Sequence, residues 1–245
     1  MDDDTRTWHG VIAHIEEQLV TGELRVGDHL PSERTLATEL GVARSSVREA
    51  LRALETLGLI HTQNGSGPSS GAVIITQPAG GLNALLRLHV ASSSFPVSDI
   101  IETRIVLERF VVGTLASGHH TSASSAPGLA PALVLLDEMD TPGLTRREFL
   151  TIDARFHCTL AEATGNTLIA SLMAGIRSGI ERYVLRDAET LTDWNTIAVR
   201  LRHEHRAIVT AIQLGNVTEA QTLVSNHIIR YHNDVASPSQ RTVFA

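Results

Sequence analysis

Lysine is absent from this chain of 245 residues: all 20 basic side chains are arginines, against 27 acidic ones, for a formal net charge of −7. An acidic protein is not a general polyanion binder, so any contact with nucleic acid has to rest on a local arginine patch. Cysteine is almost as scarce. The single Cys158 excludes a disulfide framework within one chain and fits a reducing cytoplasm. No run of 18 apolar residues occurs, so no membrane span is expected. Met1-Asp2-Asp3-Asp4 opens the chain without the apolar stretch of a secretory signal, so none is expected either. What is present is an ordinary globular composition, 42% hydrophobic, at a length that suits two domains. The 12 histidines titrate near neutral pH or bind metal, and their positions decide which.

Hydrophobic spacing divides the chain. Val11, Ile12, Ile15 and Leu19 recur at three and four residues and predict a helix over 8–20, with Gly22 suited to its C-terminal cap. Ser32 is placed to cap a second helix, with Glu33 in its first turn and Gly41 as its stop. A longer helix begins near Ser45, with the stripe Val47, Ala50, Leu51, Leu54 and Leu57. Two helices joined by a tight glycine turn form a helix-turn-helix pattern. Two β-like segments, 59–62 and 72–76, flank a Gly/Ser-rich tip over 64–71 and predict a hairpin. Pro78-Ala79-Gly80-Gly81 has the composition of a linker. Beyond Leu82 every strong pattern is helical: about 98–117, then 133–139, 145–164, 167–189, 193–214 and 217–233, with a loop over 118–131 and a frayed tail from Ser237.

The residues Leu30-Pro31-Ser32-Glu33-Arg34, Leu40-Gly41-Val42, Arg44, Val47-Arg48-Glu49-Ala50-Leu51 and Gly58-Leu59-Ile60 resemble the winged helix of the GntR family of bacterial repressors, over about the first 75 residues. Arg44 opens the second helix of the pair and Arg48 lies one turn on, where a recognition helix meets the major groove. Arginine grips guanine through two hydrogen bonds and also holds phosphate. The resemblance implies that Arg34, Arg44, Ser45, Ser46 and Arg48 contact DNA, with Asn64 and Gly65 at the tip of the wing. The competing reading makes the arginines solvated partners of Glu33, Glu39 and Glu49. Residues 1–76 hold six arginines and eleven acids, so binding must come from a focused patch.

A second constellation lies further on. Asp153 and His157 are four apart on a predicted helix and project from one face, while His205 and His227 fall on two later helices. A carboxylate and three imidazoles are a plausible shell for a divalent transition metal, with positions left for water or a ligand. Zinc, manganese and nickel all suit this donor set, with zinc the first choice. The strings Asp153-Ala154-Arg155-Phe156-His157, Gly165-Asn166, Glu204-His205-Arg206-Ala207-Ile208 and Gly215-Asn216 resemble the all-helical FCD effector domain of the FadR-like branch, over roughly 98–233. That resemblance implies that the same Asp and three His bind metal. His203 reads as a surface or supporting residue, His232 and His119-His120 as surface residues, Cys158 as packing, and Glu204 as facing away from the site. Arg104 and Glu108 match an Arg…Glu pattern of the family. A buried arginine beside a metal suits a carboxylate effector, whereas the bland alternative is a surface ion pair at i,i+4.

The expected fold is mainly α: an N-terminal winged helix-turn-helix with a small β-hairpin wing, then an all-α antiparallel helical bundle. The expected domains are a DNA-binding domain over 1–76, a linker and first connecting segment over 77–97, an effector-binding and dimerisation domain over 98–236, and a tail over 237–245. The expected function is a cytoplasmic, homodimeric transcription regulator, a repressor rather than an enzyme. It would bind a two-fold symmetric double-stranded operator and answer to a small organic acid held near the metal. The alternatives are a metal-dependent enzyme, or a regulator for which the metal itself is the signal.

Overall fold

A computed structural model describes residues 2–63, 71–75, 78–118, 128–188 and 193–235. The chain divides into two compact units, Met1–Leu82 and Asn83–Ala245. Asn64 and Gly65, and the histidines at 119 and 120, lie outside the described residues.

The first unit is built on α1 (Asp2–Thr21), α2 (Glu33–Leu40) and α3 (Arg44–Thr56), followed by strands β1 (Ile60–Gln63) and β2 (Gly71–Ile74). Ser32 caps α2 by accepting a hydrogen bond from the Thr35 N–H. Gly41 ends that helix at φ +65°, a left-handed conformation that a side chain with a Cβ resists. Only three residues separate the helices, so α3 starts at once, and its stripe Val47, Ala50, Leu51 and Leu54 closes on Val11, Ile15 and Leu36. The two strands pair antiparallel in the register Ile60↔Ile74, which sends both isoleucines into the same core. The other edge of β2 is also occupied, because the Leu30 N–H donates to Ala72 O and the Ile74 N–H to Asp28 O. That third pairing has no signature in the sequence pattern.

The second unit is helical among its described residues. It holds most of α4 (Pro78–Ala91), then α5 (Val97–Ala116), α6 (Ala130–Met139), α7 (Arg146–Ala163), α8 (Thr167–Ala188), α9 (Trp194–Gln213) and α10 (Val217–Val235). Helix α4 covers a stretch that composition marks as a linker. Its proline sits at the first helical position, where no N–H is needed. A capping box opens α7: the Glu148 N–H donates to Thr145 Oγ1, and the Thr145 N–H donates to the Glu148 carboxylate. Helix α5 packs along α10, α7 along α8, and α9 against α10. Phe149, Phe156, Leu160, Met173, Leu201 and Ile208 fill the centre of the bundle. The buried face of α5 carries two charges, Arg104 and Glu108, among Ile100, Ile101, Val111 and Val112. The buried face of α7 likewise carries Asp153 and His157 among its apolar residues. These polar insertions place the site.

Candidate metal centre and nucleic-acid interface

In the first unit, Arg34, Arg44, Ser45 and Arg48 are all solvent-exposed. Arg48 donates from Nε to Glu33 Oε1 at 3.3 Å and from Nη2 to Oε2 at 3.1 Å, while Arg44 Nη2 lies 3.7 Å from Oε2. Glu33 therefore gathers two arginines at the start of α3. Its hydrogen bond with Arg48 lowers its pKa and raises that of Arg48. The pairing coexists with exposure, since the two arginine side chains keep 61% and 51% of their surface open to solvent. Ser46 is different, and the structure corrects its reading as a DNA contact. It is 1% exposed, because it shares one helix face with Ala50 and Leu54 and turns into the core with them.

In the second unit, Asp153, His157, His205 and His227 come together. One ligand atom from each lies within 4.8 Å of the others, and all four residues are buried. Helix α7 supplies the first two at i,i+4, and α9 and α10 supply one histidine each. Three of the four groups are oriented from behind. Arg177 Nη1 donates to Asp153 Oδ2 at 2.8 Å, which leaves Oδ1 for the histidines, with His205 Nε2 at 2.9 Å. His157 Nδ1 lies 2.6 Å from Glu108 Oε2, so its Nε2 points inward and has no hydrogen-bond partner. His227 Nδ1 meets Glu204 Oε2 at 2.9 Å. Both nitrogens of His205 lack a hydrogen bond. Buried imidazole nitrogens left unpaired around a carboxylate are what a metal ion would satisfy, and backing of His by carboxylates is the usual outer arrangement of such sites.

The protonation states agree with this. Burial, then the neighbouring His227, lowers the pKa of His205 to about 4, and burial lowers that of His227. Both rings are neutral at pH 7, with lone pairs available. Burial alone would raise the pKa of Asp153. The close approach of His157 and His205 and the charge of Arg177 hold it well below the usual carboxylate range. Glu108 is likewise held low against its burial, by His157, Arg104 and Arg177.

Arg104 lies 3.0 Å from Glu108 Oε1 through Nη2, with side chains only 7% and 3% exposed. It is an i,i+4 pair, but a buried one, and the surface reading does not hold. Arg177 went unnoticed in the sequence. Its spacing from Met173 and Ile180 puts it in an apolar stripe, which was the available signal. Two further readings are corrected. Glu204 does not face away: it reaches across to His227 on the next helix. His232 is not a surface residue but 7% exposed, because it continues the buried stripe of Val224 and Ile228. His203 is exposed, and Cys158 is half-buried and outside the cluster.

Known proteins match both units. Residues 8–68 fit the gntR family of bacterial regulatory proteins, and residues 99–230 fit the FCD domain. The HTH-type transcriptional regulator LutR of Bacillus subtilis is 31% identical over 84% of this chain and 91% of its own length. The putative L-lactate dehydrogenase operon regulatory protein of Escherichia coli is 26% identical over 85% and 78%. The transcriptional repressor NanR of E. coli is 28% identical over 87% and 78%. Among solved structures, a GntR protein of Streptococcus agalactiae superposes with a TM-score of 0.56 over 91% of this chain and 97% of its own, at 24% identity, and shares the fold. No helix among the described residues is long and apolar enough to cross a membrane. The chain belongs to the GntR family of bacterial transcription regulators, with an FCD domain following its DNA-binding helix-turn-helix.

Proposed function

We propose that this regulator is a homodimeric repressor whose grip on a two-fold symmetric operator is controlled by a small carboxylate held beside a divalent transition metal. The observation that carries the reading is the buried cluster of Asp153, His157, His205 and His227 next to a buried Arg104. Two buried arginines, Arg104 and Arg177, balance two buried carboxylates, Glu108 and Asp153. A divalent ion added to that balanced set leaves an excess of positive charge, which an anionic effector offsets. Zinc, manganese or nickel fits one carboxylate and three imidazoles, and each supplies a Lewis-acidic centre for a carboxylate oxygen. Arg104 then offers the planar fork that takes carboxylate oxygens. The relative named as a putative regulator of an L-lactate dehydrogenase operon favours a hydroxy- or keto-acid of small size.

At the DNA end, Arg44, Ser45 and Arg48 meet the major groove and Arg34 the backbone, with Asn64 and Gly65 assigned to the wing by resemblance alone. An effector acts by binding two conformers of the regulator with different affinity, and the ratio sets the change at the operator. The test is operator binding by the full-length protein with metal alone, then with metal plus a set of small carboxylates. Release or strengthening by an acid only when metal is present supports the reading. Release by metal alone makes the metal the signal. Indifference to every acid overturns the effector assignment.

A further inference from the structure

Helices α5 and α10 run antiparallel, and three contacts fix their register. Gln221 lies against Gly113, Gln221 Nε2 donates to Arg109 O at 3.3 Å, and Arg109 Nη1 donates to Ser225 Oγ at 3.3 Å. Five residues back along α5 from Arg109 is Arg104, and five residues on along α10 from Ser225 is Arg230. Tyr231 is therefore level with Arg104. It is also one turn beyond His227, on the same face of α10. Its ring packs against the bundle core, while its hydroxyl oxygen is shielded from solvent and has no hydrogen-bond partner among the described residues. Leaving a buried hydroxyl unpaired costs about 1–3 kcal/mol, and a phenylalanine would fill the same ring volume without that cost. The hydroxyl is thus unexplained by packing. Burial and then the nearby Asp153 raise the pKa of the phenol, so it stays neutral and able to donate.

We propose that Tyr231 is a specificity-determining residue of the effector chamber. Its hydroxyl is reserved for an oxygen substituent of the bound acid, so the chamber selects hydroxy- and oxo-acids over unsubstituted acids of the same size. This rests on the carboxylate reading above and deepens it. The division of labour follows from charge. A guanidinium and a metal ion already compete for the carboxylate, where a neutral phenol adds little. A neutral hydroxyl or keto oxygen, by contrast, is well matched to a group that both donates and accepts. A site built to hydrogen-bond such an oxygen also penalises the analogue that lacks it, because the phenol is then left unpaired.

The experiment uses zinc-loaded full-length protein and three acid pairs that differ by one hydroxyl: glycolate and acetate, L-lactate and propionate, L-malate and succinate. Affinities come from calorimetry, with thermal shift as a second readout. In the wild type, the hydroxy acid of at least one pair is expected to bind tighter. Tyr231→Phe is expected to narrow that gap about five- to tenfold. It should keep full metal content and show no drop in the melting point of the acid-free protein. An unchanged gap in Tyr231→Phe overturns the proposal, as does equal wild-type binding of both members of every pair. A lower melting point without acid assigns the hydroxyl to structure and overturns it too. If no acid of either kind binds the wild type, the carboxylate reading itself falls, and Tyr231 falls with it.

Discussion

Glu204 stands next to His205 in the chain, yet it serves His227. Consecutive helix residues point about 100° apart, so the sequence correctly kept Glu204 out of the shell that holds His205. It could not show that α10 brings the His227 Nδ1 to within 2.9 Å of that carboxylate. Arg177 is the same case: a charge in an apolar stripe is visible, but its partner Asp153 lies 24 positions earlier and on another helix. Ser46 was legible, because its spacing from Ala50 and Leu54 already put it on the inner face, and only its neighbours' chemistry drew attention outward. The role of Glu204 has a measurable consequence. In the proposed metal site this carboxylate would fix the tautomer of His227 and make that ring a better donor, and losing such a partner costs 10–100-fold in metal affinity. Glu204→Ala should show that loss in a competition with a chromogenic chelator, with an unchanged circular dichroism spectrum. Wild-type affinity in the variant would mean that packing alone orients the ring.

Strong periodicity made most of the helices readable at the level of elements. Ser32 and Gly41 frame α2, and Thr145 with Glu148 frames α7, because capping depends on residues adjacent in the chain. Helix α4 was hidden. Its Pro-Ala-Gly-Gly opening has poor intrinsic propensity, and tertiary contact, which the pattern does not record, overrides it. One such contact is the close approach of α4 to α8 at Gly179. A Cβ built there would lie 2.5 Å from the Val90 Cβ. Gly179→Ala gains helix propensity worth up to about 1 kcal/mol, yet it must push two packed helices apart. The overpacking term is expected to win, with a net cost of about 1–2 kcal/mol and a melting point lower by several degrees. Val90→Ala in the same chain removes two methyl groups but keeps that Cβ, so it should restore little of the loss. A Gly179→Ala protein more stable than wild type would mean that the seam gives way freely.

For the whole molecule, charge and function stand in tension. The formal net charge is −7, and the first 76 residues alone carry five more acids than arginines, so the mean field repels a duplex. Two sets of residues scattered along the chain nevertheless assemble into sites. The four metal-ligand candidates span 153 to 227 and converge only because α7, α9 and α10 share one core. The candidate DNA contacts Arg34, Arg44 and Arg48 were easier to read, since they lie within 15 positions of one another. On the proposed reading, operator affinity depends on a few exposed cations working against a repulsive background, and its response to salt separates their roles. Each phosphate neutralised contributes about 0.9 to the slope of log K against log salt concentration. Arg34, exposed at the start of α2, is assigned to the backbone, so Arg34→Ala should reduce that slope by about one and weaken specific and non-specific duplexes alike. Arg44 is assigned to base edges, so Arg44→Ala should cost about 1–3 kcal/mol on the operator and relax the preference at one base pair in each half-site, with less effect on non-specific DNA. Identical behaviour of the two variants on both kinds of duplex would dissolve the distinction and leave the arginines as an undifferentiated positive patch.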